Sequence, residues 1–231
     1  MAKRPVYVPR KDGTLGVKEV EIEFKWFPGM SVSQKQKSVS SLHDAAKSMN
    51  VNSILEISSK SEFELGVNLS AFNLNITTKK YEKTFSVESA FQGSKAFEFG
   101  GPYYDLFDKT SREAKKDIRL KQSGNLVKFT FFGKNFPLKP RTLFYDWLYI
   151  NALNQNEHLA DDLLQYGGFT DIEFNPTKSI NCQAYSAALF VSLSYASVLQ
   201  DALESPEEFG DILSDVYRRR EDNQLVQSSL V

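Results

Sequence analysis

The chain has 231 residues, 41% of them hydrophobic and 25% charged, with a formal net charge of -1 and a pI near 6.2. That length supports one large domain with a true core, and the near-neutral charge excludes a global pull toward nucleic acid, leaving only local clusters such as Arg112, Lys115, Lys116, Arg119 and Lys121. A single cysteine, Cys182, excludes an intramolecular disulfide and a cysteine-rich zinc site, and two histidines, His43 and His158, neither in a catalytic pattern, leave little material for a histidine-based triad.

Val20, Ile22, Phe24 and Trp26 alternate with polar neighbours and predict a strand, ended by Phe27-Pro28-Gly29. Val39, Leu42, Ala45 and Ala46 then predict a first helix over 34–49, with His43 on its surface. Ile54 to Ile57 reads as a short buried strand running into Ser58-Ser59-Lys60-Ser61, which is either a phosphate grip of hydroxyls and a lysine or an ordinary polar loop. Leu69 to Ile76 alternates like another strand, and 77–83 is a polar connection. With no run of 18 apolar residues and no hydrophobic leader in its first residues, the chain is expected to be neither membrane-spanning nor secreted, but cytoplasmic.

Thr84 to Phe99 is the stretch around which the rest is organised. Read as one helix, it places Glu88, Gln92 and Lys95 on a single polar face, with Val87, Ala90, Phe91 and Phe97 mostly on the other side. An acid, an amide and an amine gathered in this way suit chemistry. A surface helix whose end charges complement its dipole gives the same pattern.

Gly100-Gly101-Pro102 is expected to stop that helix, and Tyr103, Tyr104, Leu106 and Phe107 to pack as core or lid. A third helix starts at Ser111 and closes at Gly124; its basic cluster also reads as a solvated face. Leu126 to Gly133 predicts a strand, 142–166 a long central helix, 169–176 an acid-bearing loop or short strand, and 184–203 a buried apolar helix. Pro206 to Tyr217 should dock as an amphipathic helix, with a polar, fraying tail after it.

Several of these pieces, in their order, resemble the NADAR family, linked to NAD and ADP-ribose. Leu69-Ser70-Ala71-Phe72 is similar to its LSNF start, Glu88 to Phe97 to its E-H-x-x-Q-x-x-K-F helix, and Ser111 to Lys115 to its S-P-x-E-A-K start. Gln155-Asn156 with Leu159, Leu163 and Leu164 resembles its Q-N stretch, and Ser179-Ile180-Asn181 lies where the family has G-x-N. Trp26 to Gly29, Gln34 to Lys37 and Phe144 to Tyr149 are similar to the branch of antitoxins partnered with Dar-type DNA ADP-ribosyltransferases. Departures are Ala71 for the LSNF asparagine, with Asn73 as a substitute nearby, Ser89 for a histidine, Ala152 for a lysine, and a D-x-x-W-G loop reduced to Asp171 and Glu173.

The resemblance implies an α+β fold, a single helix-rich domain of NADAR type with a few short strands, in which residues 1–53 extend a catalytic core of 54–203 and 204–231 form a C-terminal helix and tail. It implies removal of ADP-ribose from guanine in DNA by N-glycosidic hydrolysis, on a base presented in single strand or flipped out. ADP-ribose is then a product, the functional partner a DNA ADP-ribosyltransferase toxin, and no cofactor, metal or membrane is called for; a monomer is expected. Glu88, Lys95 and Asp171 are the catalytic candidates, and Ser59, Lys60, Phe72, Asn73, Gln92, Arg112, Glu173 and Asn181 the substrate-binding ones. Rival classes are an N-glycosidase of small metabolites, such as phosphorylated riboflavin precursors, and a non-catalytic module binding the toxin or ADP-ribose.

Overall fold

The computed structural model describes residues 1–78, 82–175 and 179–229. Val6, Tyr7 and Val8, too short an apolar run to announce a strand alone, lie in β1 (Ala2–Pro9), which pairs antiparallel with β2 (Val17–Phe24) from Ala2 opposite Phe24 to Pro9 opposite Val17. The alternation of Val20, Ile22 and Phe24 therefore does mark a strand. Helix α1 (Val32–Lys47) follows, capped by Ser31, and buries Val39, Leu42 and Ala46 against Val6, Ile22 and Phe24. β3 (Ile54–Glu56) is a strand buried at every position.

Leu69 to Ile76 does not form the expected strand. A short helix α2 (Glu64–Asn68) ends at Leu69, and the Ser70 carbonyl then accepts the N–H groups of both Asn73 and Leu74. This tight turn leaves only β4 (Asn75–Thr77) extended, paired with β5 (Thr84–Ser86). Residues 79–81 of the polar connection between them lie outside the described residues.

The largest correction concerns Thr84 to Phe99, which is strand, helix and strand. Between β5 and β6 (Lys95–Phe97) stands α3 (Val87–Gly93), a helix of 7 residues. Ser86 starts it by accepting the Ser89 N–H at 3.1 Å. Sheet pairing claims both flanks: β5 takes β4, and β6 takes a later strand, so tertiary pairing overrides the helical period there. The helix has already ended seven residues before Gly100, and Gly101, at φ 78°, serves instead the turn after β6.

A 3-10 turn (Tyr104–Asp108) buries Leu106 and Phe107 but leaves Tyr104 exposed. The third expected helix is two, α4 (Ser111–Lys116), with a Thr110/Glu113 capping box, and α5 (Arg119–Gln122), separated at Asp117. β7 (Leu126–Phe131) turns back through Phe132 and Gly133, both at positive φ, into β8 (Lys134–Phe136). The long central helix also divides, into α6 (Leu143–Gln155) and α7 (Glu157–Leu163), because Asn156 leaves helical geometry and donates from its side chain to the carbonyls of Ala152 and Asn75.

β9 (Gly168–Thr170) precedes the acid-bearing loop, of which Pro176 lies outside the described residues. α8 (Gln183–Tyr195) and α9 (Leu199–Leu203) replace one apolar helix, broken where Ser197 takes φ 57°. α10 (Pro206–Ile212) is followed by α11 (Ser214–Ser229), which remains helical where fraying was expected, while 230 and 231 lie outside the described residues.

The strands form a four-stranded sheet in the order β2-β1-β9-β3, a pair β4-β5, and a three-stranded sheet β6-β7-β8. β3 and β9 run parallel, with Glu56 opposite Thr170. α6 and α8 are apolar nearly all round and sit in the main core, so the fold is of the mixed α+β class. No helix among the described residues is long and apolar enough to cross a membrane.

Candidate active site

A cavity of about 610 Å³ opens where α3, β6, α4, the start of α6, and the loops after β3 and β9 converge. That size and its mixed lining suit a ligand of nucleotide scale. α3 supplies the first wall. All seven of its residues are buried, and Glu88 and Gln92 are only 6% and 7% exposed, so this is not a solvated surface face.

Gln92 donates from Nε2 to Glu88 Oε1 at 2.9 Å and accepts from Lys95 Nζ at 2.7 Å through its Oε1. Acid, amide and amine thus form one hydrogen-bonded row. Lys95 joins from a strand, which is why the row survives the loss of the long helix. Burial pushes the Lys95 amine down to about 8; nearby Glu88 pulls upward and Lys115 pushes further down. Lys115 Nζ stands 3.6 Å from Glu88 Oε1 and 5.0 Å from the centre of the Phe72 ring.

The segment after β9 forms a second wall. Asp171 Oδ1 accepts the N–H groups of Glu173 and Phe174 at 3.0 and 3.1 Å. Burial and the neighbouring Glu56 hold its carboxyl well above the usual carboxylate range. The Tyr145 hydroxyl senses the charges of both Glu88 and Asp171. Glu173 pairs with Lys35 Nζ of α1 at 3.0 Å, and Trp26 lies between Lys35 and Arg4, 5.1 and 5.5 Å from its ring centre. The Trp26 and Lys35 motifs therefore brace the wall from outside. Asn181 lines the cavity, and its Oδ1 is buried and, among the described residues, without a hydrogen-bond partner.

Of the residues singled out from sequence, Glu88, Lys95, Asp171, Ser59, Phe72, Gln92, Glu173 and Asn181 line the cavity. Three do not. Asn73 is exposed, with its amide donating to the Val67 carbonyl at 2.9 Å, so it does not stand in for the asparagine replaced by Ala71. Lys60 sits in the turn after Ser58, outside the lining, and Arg112 is exposed on α4, where Lys115 reaches the cavity instead. The basic cluster is dispersed, since Arg119 is engaged by Asp105 and Asp117. His43 is not a surface residue either: it meets Thr170 Oγ1 at 2.8 Å, and burial lowers its pKa to about 4.

Sequence reading placed Ser58 in the possible phosphate grip and Tyr145 in a family-like run without giving either a site role, and it missed Arg141 and Gln183; all four line the cavity. Gln183 accepts the Ala71 N–H and donates to the Ile57 carbonyl, each at 2.7 Å, tying two lining loops together. A glutamine opening an apolar helix was the available signal. Arg141 carried none, following a proline at a helix entrance.

The model of one protein family, described as DarT1-associated NADAR antitoxin, matches residues 2–223. The chain belongs to that family. The resemblance read from its motifs is thereby borne out, over a longer span than those motifs covered. A comparison with curated proteins finds no match. Within this NADAR antitoxin, the segment bearing Trp26 and Lys35 falls inside the family match and reaches the cavity through Glu173.

Proposed function

We propose that this NADAR antitoxin is a hydrolase that cleaves the N-glycosidic bond between ADP-ribose and the amino group of guanine in DNA, reversing the modification made by a toxin partner. The observation that carries this reading is the buried row Glu88, Gln92, Lys95 in the same cavity as Asp171. Cleaving a ribosyl C–N bond builds positive charge on the anomeric carbon and requires a proton for the departing amine. Glu88, held by Gln92 and Lys115, activates water or orients the ribose hydroxyls. Asp171, whose carboxyl holds its proton unusually well, delivers it to the amine. The pairing of two acids follows the logic of glycosidases, by analogy alone.

The remaining lining sorts by chemistry. Ser58, Ser59, Lys115 and Arg141 suit a diphosphate, since hydroxyl, ammonium and guanidinium groups donate to its oxygens. Phe72, Phe91, Phe129, Leu126 and Leu138 offer apolar surface to a base lifted out of its stack. A second route has its own observation: an amine with a pKa near 8 can attack the anomeric carbon of the ring-opened ribosyl linkage, breaking its bond to the guanine amino group, which leaves with a proton, and forming a Schiff base that water then hydrolyses to release ADP-ribose and the free amine.

The test is substitution in a cleavage assay on an oligonucleotide carrying ADP-ribosylated guanine, run beside free ribosylated nucleotides. Glu88→Gln and Lys95→Ala are each expected to lose at least about a hundredfold in kcat. Full turnover in both would overturn the reading. Loss in only one would reassign the roles, and preference for the free nucleotide would favour a metabolite N-glycosidase.

A further inference from the structure

Glu56 has no part in the steps above, yet it is a buried acid on a three-residue strand. A charge in such a place is unfavourable unless its oxygens are well bonded. Both of them engage the same short segment. Oε2 accepts the Thr170 hydroxyl at 2.6 Å and Oε1 accepts the Ile172 N–H at 2.8 Å, so the two bonded residues flank Asp171 on either side. The parallel register places Glu56 opposite Thr170, and the Thr170 carbonyl accepts the Ile57 N–H at 2.8 Å, which aims the carboxylate at the end of β9. Behind it, His43 Nε2 meets Thr170 Oγ1 at 2.8 Å. Because that hydroxyl gives its proton to Glu56, the imidazole is the donor in this bond and carries its proton on Nε2.

We infer that Glu56 is the positioning residue for Asp171: backed by Thr170 and His43, it grips the chain on both sides of that acid and sets its carboxyl in the cavity. The inference rests on the reading of Asp171 as the acid of the reaction. The electrostatics run the same way. Burial raises the Glu56 carboxyl, while the bonds it accepts from Thr170 and Ile172 favour its charged form, and that charge disfavours ionisation of Asp171. Facing the pair are Arg4 of β1, His43 and the Lys35–Glu173 pair, Tyr145 and Tyr149 of α6, and Cys182.

The full-length protein and its Glu56→Gln, Thr170→Val and Asp171→Asn variants are compared on the modified oligonucleotide, with kcat and KM followed across the pH range in which each stays folded. Glu56→Gln keeps shape and removes charge. It is expected to lower kcat about tenfold or more while KM stays within about twofold, and to move the alkaline limb of the rate profile to lower pH, because Asp171 then gives up its proton more readily. Thr170→Val, which removes one of the bonds without altering Glu56, is expected to move both readouts in the same direction by less, and carries the test alone if Glu56→Gln does not fold. An unchanged kcat and an unmoved limb, with Asp171→Asn inactive, overturn the inference and leave the reading of the cavity standing. Full turnover in Asp171→Asn overturns that reading, and the inference with it.

Discussion

At the scale of single residues, the amine of Lys95 is the group whose charge matters most, because its lowered pKa brings the neutral form within reach of ordinary conditions. Burial favours the uncharged amine, and the fraction available as a nucleophile grows as pH rises through about 8. If the Schiff-base route operates, borohydride added during turnover should reduce an ADP-ribose adduct onto Lys95, detected by peptide mass, with a yield that climbs through that pH. A yield independent of pH, or an adduct that persists in Lys95→Met, would count against it. The Glu88, Gln92, Lys95 spacing was legible in the sequence because its chemistry is local, an acid and an amide one helical turn apart. Glu56 was not, since its partners at 170 and 172 are brought to it only by the parallel pairing of β3 with β9.

At the scale of elements, α3 is short and tightly enclosed, and Gly93 shows how tightly. A Cβ there would lie 2.6 Å from Phe107 Cε1 and 2.9 Å from the Tyr103 carbonyl oxygen. The ring and the backbone of the 3-10 turn both press on this helix end. Gly93→Ala is therefore expected to destabilise the protein by about 1 to 3 kcal/mol despite alanine's better helix propensity, read from the midpoint of urea unfolding at unchanged slope. A midpoint equal to that of the wild type would mean the turn can retreat. Periodicity identified helices at 34–49, 142–166 and 184–203, but it overran breaks at Asn156 and Ser197, where one asparagine side chain and one positive φ redirect the chain without altering the apolar pattern.

At the scale of the whole molecule, Asp146 joins the core to the C-terminal helix. It is buried and accepts hydroxyl protons from Thr142 at 2.7 Å, Ser186 at 2.6 Å and Tyr217 at 3.1 Å. Arg220 donates to Thr142 Oγ1, pairs with Glu19 of β2 and lies 3.6 Å from the centre of the Tyr185 ring, so α11 is tied to β2, α6 and α8 together. These ties anchor the first turns of α11, up to Arg220, within the stretch that looked like a polar tail. Asp146→Asn sets an amide donor among hydroxyl donors and should lower stability by about 3 kcal/mol, measured by denaturant unfolding, with kcat of the folded fraction unchanged. A loss below about 0.5 kcal/mol would show that the hydroxyls simply reorient.

The sequence by itself determined the family, the buried character of the central helices and the grouping of Glu88, Gln92 and Lys95, because ordered motifs and short-range spacing are properties of the chain alone. Only the tertiary structure decided that Lys95 arrives from a strand, that Lys115 and Arg141 rather than Lys60 and Arg112 enter the cavity, and that Glu56 stands behind Asp171. The physical reason is common to all three: where a side chain points depends on the partner its backbone pairs with or the turn it sits in, and those partners are distant in sequence.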